Sequence, residues 1–130
     1  MRITILAGLL LIGSAAFIAA DAAVPTGGWK SLPGAVYFIH GGTLADRQPP
    51  SAQDRKLSIV IDGQAAKEIF DSIGPDLAET CSGERRDRAR DKKGIHCVYN
   101  DDDKASTEGP YRCWVGLDLR TGHSIGLVSC

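Results

Sequence analysis

Apolar residues at 57, 59 and 61 of Leu57-Ser58-Ile59-Val60-Ile61, most of them β-branched, share one face of an extended chain and predict a strand. Asp62 follows as a helix N-cap. Gln64 to Ile73 then switches to a helical period, with Ala66, Ile69, Phe70 and Ile73 spaced i, i+3, i+4 and i+7 as one buried stripe. Lys67, Glu68 and Asp71 lie on the opposite side, and Gly74-Pro75 ends the helix. Three further strands are predicted: Ile95 to Tyr99, Tyr111 to Leu119, and His123 to Cys130 after the turn Arg120-Thr121-Gly122. The expected fold is therefore α+β. One strand and one amphipathic helix are followed by a three-stranded antiparallel meander, with the helix packed on one sheet face.

Upstream, residues 23–56 are punctuated by Pro25, Gly27, Gly28, Pro33, Gly34, Gly41, Gly42, Pro49 and Pro50. They read as a flexible leader with one short candidate strand at 35–39. The domain itself is expected over 57–130. Residues 1–22 have the form of a secretory signal: Arg2, the apolar stretch Ile3 to Ile12, and small residues ending in Ala20-Asp21-Ala22. Cleavage is expected after Ala22 or Ala20. The apolar run is shorter than the roughly 20 residues of a membrane span, so no anchor is expected once the signal is removed. The location expected is periplasmic or secreted.

Export changes the meaning of Cys81, Cys97, Cys113 and Cys130. In an oxidising compartment four cysteines spaced by 16, 16 and 17 residues, with no C-x-x-C pair, read as two disulfides. If Tyr99 pairs with Tyr111, Cys97 faces Cys113 directly across an antiparallel ladder, which leaves Cys81 for Cys130. The competing connectivity is 81–97 with 113–130, and a single bulge would favour it.

Charge adds little. Fifteen Lys and Arg against sixteen Asp and Glu give a net −1, and removing Arg2 and Asp21 with the signal leaves that unchanged. Neither a nucleic acid nor an anionic membrane is indicated as partner. The local distribution is more telling. Residues 84–93 hold six basic and three acidic side chains. Arg85, Arg86, Arg88 and Arg90 make this run a candidate partner-binding loop for an acidic surface, against the alternative of a solvated connection with mixed charge. Asn100 to Lys104 with Glu108 is its acidic counterpart. Consecutive aspartates lack the D-x-D-x-D-G spacing of a calcium loop, so no metal is expected there. The two charged segments are suited to pair within the fold or between molecules.

Arg112 and Trp114, with Gly116 and Asp118, alternate away from Cys113 and Val115. They form a second candidate binding face unless Val36 to Ile39 packs over it. His40, His96 and His123 are the only histidines, and no H-x-x-x-H, H-E-x-x-H or G-x-S-x-G spacing accompanies them. No cofactor or catalytic residue is assigned. The expectation is not an enzyme but a protein-binding module of the cell envelope, such as an inhibitor or immunity-type protein. The alternatives are a hydrolase built around His96, His123 and Asp118, and a structural or accessory envelope protein.

The combination Ser58-Ile59-Val60-Ile61-Asp62-Gly63-Gln64-Ala65-Ala66, Phe70-Asp71-Ser72-Ile73, a Cys97 strand and Tyr111-Arg112-Cys113 resembles small, uncharacterised exported proteins of Gram-negative bacteria. The resemblance covers Leu57 to Cys130. It implies a disulfide-containing exported fold and transfers no catalytic residue.

Overall fold

A computed structural model of the chain describes residues 29–127. Of two compact units, Met1–Lys30 and Ser31–Cys130, the second holds every described strand and the helix. The signal-like segment and its cleavage point lie outside the described residues.

The sheet has six strands: β1 Ala35–Gly42, β2 Arg47–Gln48, β3 Lys56–Asp62, β4 Arg88–Lys92, β5 Ile95–Tyr99 and β6 Tyr111–Asp118. Their order is β2-β1-β3-β6-β5-β4, antiparallel throughout. The single helix α1, Gly63–Ser72, follows β3 directly, and a short 3-10 helix spans Asp101–Ala105.

This corrects the expected three-stranded meander in three places. The first is the charged run, read as a loop: Arg88–Lys92 forms β4 and pairs with β5 through a two-residue turn. Lys93 and Gly94 both take positive φ there, 32° and 85°, the backbone signature of a tight hairpin whose twist matches the strands. The second is the Gly/Pro-rich segment. It carries β1, whose residues Ala35 to His40 pair with Ile61 to Lys56, and the two-residue β2. The third is the end of the chain. Among the described residues, His123 to Leu127 form only an isolated bridge, Leu117 to Ser124. Ile125 donates its N–H to the Gly116 carbonyl, and Leu127 sits so close over Gly116 that a Cβ there would lie 2.6 Å from its Cγ. The segment therefore runs back antiparallel beside the end of β6 for one bridge only, packed so closely that only glycine at 116 leaves room. Residues 128–130 lie outside the described residues.

The register expected around the cysteines is found: Tyr99 faces Tyr111 and Cys97 faces Cys113. The Cys97–Cys113 disulfide spans a Cα separation of 4.1 Å. It is the one disulfide described, not the two expected. The other expected bridge runs from Cys81 to Cys130, which is outside the described residues.

Helix α1 packs on one sheet face over β6, β3 and β5. Ala66 and Phe70 are fully buried against Ile61, Cys97 and Cys113, with Ile59, Ile69, Ile73, Ile95, Tyr99, Tyr111 and Val115 around them. Phe70 meets Tyr111 edge-on at 5.4 Å. Asp62 occupies the N-cap position but makes no capping hydrogen bond. Its carboxylate instead accepts from Arg112 at 2.6 Å.

Candidate functional site

The arginines proposed from sequence as one binding loop are divided by the strand they lie on. On β4, Arg88 and Arg90 sit on the helix side, because Arg90 faces Cys97 across the ladder. The Arg90 guanidinium lies 4.3 Å from the Phe70 ring centroid and that of Arg88 5.2 Å. Arg90 Nη1 donates to the Phe70 carbonyl at 2.7 Å, a second donor to an acceptor that also takes the Ile73 N–H at the end of α1. Both arginines converge on Asp76: Arg88 Nε at 2.7 Å and Arg90 Nε at 2.5 Å. Hydrogen bonding to Arg88 first, and to Arg90 second, holds the Asp76 carboxyl down at about 2. The same contact pushes the Arg88 guanidinium pKa up.

Arg86 is drawn the other way. Its Nε pairs with Asp101 at 2.9 Å, so the basic and acidic segments meet within the fold. Asp101 also accepts from Lys104 and from the Tyr99 hydroxyl, and the Lys104 contact is the main cause of its lowered pKa. These segments, including Arg85 and Asp102, line an open cleft of about 500 Å³. Among the described residues Arg85 makes no ion pair. Arg112 bridges Asp62 and Glu108, at 2.6 and 2.9 Å, and the Asp62 hydrogen bond raises its pKa. Of the five candidate arginines, four are therefore engaged by carboxylates of this chain.

Trp114 is half-buried on the face opposite α1, between Val60 and His96 in register. Val36 to Ile39 does not cover it, since that segment lies in the sheet as part of β1. Thr80, Cys81 and Ser82 approach instead, and with His96, Val98 and Trp114 they line a cavity of about 200 Å³. The His96 ring, tilted 5.9 Å from Trp114, is buried. Its Nδ1 lies 3.4 Å from Asp91, and its Nε2 has no hydrogen-bond partner among the described residues.

His96, His123 and Asp118 are not brought together by any described contact. His123 is exposed beyond the last turn, and Asp118 accepts the N–H groups of Arg120 and Thr121 in that turn. The histidine that does meet a serine is His40, whose Nε2 lies 2.7 Å from Ser58 Oγ and whose Nδ1 donates to the Gly41 carbonyl at 2.9 Å. Because a carbonyl only accepts, Nδ1 must carry a proton, and Nε2 shares a hydrogen bond with the Ser58 hydroxyl. Both residues are buried, so the pair joins β1 to β3 where substrate has no access. Among the described residues no group of His, Cys, Asp and Glu is placed to hold a metal ion, and no helix is long and apolar enough to cross a membrane.

Sequence reasoning passed over the most unusual surface. Val36, Tyr37, Phe38 and Ile39 of β1 are 64%, 72%, 48% and 41% exposed. Odd residues of β1 share the helix side of the sheet and even residues the other, by their register with β3. The strand is thus apolar and open on both faces. The signal was present as four consecutive apolar residues in an otherwise polar, Gly/Pro-rich segment. No family model, curated protein or solved structure matches the chain.

Proposed function

We propose that the protein is an exported protein-binding module that engages its partner through β1. The observation that carries this reading is the exposure of Val36, Tyr37, Phe38 and Ile39 together on a strand with one open edge. Contiguous exposed apolar surface favours burial against another protein and is uncommon where none is needed. The charged segments support it less, since Arg86, Arg88, Arg90 and Arg112 are held by carboxylates of the same chain. The Met1 to Ala22 pattern and the resemblance to exported Gram-negative proteins support an envelope or extracellular setting, where an inhibitor or immunity-type protein would act.

The test is capture of partners from envelope and culture-medium fractions by the purified, oxidised protein. A stoichiometric partner held by the wild type and by Arg85→Ser, but lost with Tyr37→Lys, is the expected result. A partner held equally by all three would remove β1 from the site.

A further inference from the structure

The edge of β1 specifies its ligand more closely than apolar exposure does. Asp62 donates its N–H to the Gly34 carbonyl, in the same register that pairs Ala35 with Ile61. Backbone groups alternate in direction along an antiparallel strand. Gly34 therefore points inward to β3, as do Val36, Phe38 and His40, while Ala35, Tyr37 and Ile39 direct their N–H and C=O groups outward. Among the described residues these six outward groups have no strand partner, because β2 pairs only with Gly41 and Gly42. The open lane is bounded at one end by β2 and at the other by the Pro33-Gly34 turn, where Gly34 takes φ 75°.

We propose that this lane is filled by the same strand of a second copy of the chain, paired antiparallel about a two-fold axis through Tyr37. The proposal rests on β1 being the binding edge. A two-fold that reverses strand direction keeps the sheet faces aligned, so paired residues must share a face and their numbers must sum to an even value. Only outward residues form hydrogen-bonded pairs. Centring on Tyr37 pairs Tyr37 with its counterpart and Ala35 with Ile39 on both sides, which uses all six outward groups. Centring on Phe38 pairs only Tyr37 with Ile39 on either side, because Gly41 is taken by β2, and leaves the groups of Ala35 unmet.

Side-chain chemistry agrees with that register. Val36 falls opposite Phe38 in the closely spaced pairs between, so apolar meets apolar. No residue from Ala35 to Ile39 is charged, hence no like charges oppose across the axis. The product is one continuous antiparallel sheet that hides an edge of the kind most prone to uncontrolled pairing.

Sedimentation velocity of the purified protein at rising concentration, up to about 0.2 mM to populate even a small specific interface, is the primary measurement. A monomer–dimer equilibrium is expected in the wild type and its loss in Tyr37→Lys, which sets two ammonium groups opposite each other. Tyr37 is largely exposed and its N–H points away from β3, so Tyr37→Lys keeps the fold. Mixing Tyr37→Lys with Tyr37→Glu should restore dimer as the heterodimer. Register is read by cysteine trapping. Tyr37→Cys places opposed Cα atoms about 5.5 Å apart, within disulfide reach. Phe38→Cys leaves its two copies on a diagonal at about 7–8 Å, outside that reach. A wild type monomeric at every concentration, or trapping at 38 but not at 37, overturns the proposal. If that monomer still captures a different protein in a Tyr37-dependent way, self-pairing falls and the binding function stands.

Discussion

The two sides of this sheet solve the same problem in opposite ways. A strand with one free edge exposes unmet backbone donors and acceptors, and a protein that is to remain monomeric covers or charges them. At the β4 side the chain does both. Leu77 donates its N–H to the Ala89 carbonyl at 2.8 Å along the outer margin, and β4 itself reads Arg-Ala-Arg-Asp-Lys. Asp76 clasps Arg88 and Arg90 onto the last turn of α1. At the β1 side, Ala-Val-Tyr-Phe-Ile meets solvent and, among the described residues, has no clasp like that of Asp76, although the Arg47 guanidinium lies 5.4 Å from the Phe38 ring centroid. The difference teaches that charge density does not mark the open edge: the charged segment is the sealed one.

The contrast is broken most forcefully by removing one aromatic from each side. Phe70 projects from α1 and is fully buried between the helix and the sheet, beneath the β4 arginines, so Phe70→Ala should cost about 3–5 kcal/mol through lost transfer energy and the cavity left behind. Tyr37→Ala, at an exposed position, should stay within about 0.5 kcal/mol. Urea melts of both variants at equal concentration check this. Equal losses would mean that β1 is packed as firmly as the core.

A smaller effect separates arginines that were adjacent in the sequence argument. Arg90→Ala removes a charged hydrogen bond to the Phe70 carbonyl, the pair with Asp76 and the cover over the Phe70 ring, so a loss of about 1.5–3 kcal/mol is expected. Arg85→Ala, with no ion pair to lose, should change stability by less than about 0.5 kcal/mol. The same thermal or urea melts serve, and a silent Arg90→Ala would show that β4 is not clasped.

What the sequence revealed followed from period and turn chemistry. The helix was legible because Ala66, Ile69, Phe70 and Ile73 make a stripe that only a helix collects. The Cys97–Cys113 pair was legible because one correct register aligned two strands. The β4 strand was hidden because its alternation is Arg-Ala-Arg, in which the aliphatic stems and guanidinium planes of arginines do the covering that apolar side chains usually do. Its hairpin was signalled only by Gly94, with Lys93 taking the other positive-φ position. The β1 strand reads in the sequence only as a short candidate at 35–39 within a flexible leader, because of its Gly and Pro neighbours, although Gly34 and Gly42 mark the two ends of the strand. The sites followed the same pattern. Side-chain type nominated Arg85 to Arg90, yet which of them is held within the fold depends on strand parity, and parity required knowing that a strand was there.

The last and smallest difference is one of pH. The folded-state pKa of Asp76 is lowered to about 2 from an ordinary value near 3.8, chiefly by Arg88 and then Arg90. A lowered carboxylate pKa stabilises the fold above the unfolded value and loses that contribution as pH falls through the folded one. The window is therefore about pH 4 down to 2. Because the Asp76 side chain is 36% exposed, solvent screening reduces the contribution to about 1 kcal/mol. Asp76→Asn should be less stable than wild type by that amount at pH 6, and the gap should close toward pH 2. Nothing comparable acts on β1, whose residues Ala35 to Ile39 carry no group that titrates between pH 2 and 6. Amide exchange followed across this window should accordingly rise around Ala89 and the end of α1 while the inward amides of Val36 and Phe38 keep their protection. If β1 loosens in step with β4, the two edges belong to one cooperative unit and the acid sensitivity of the clasp is transmitted through the whole sheet.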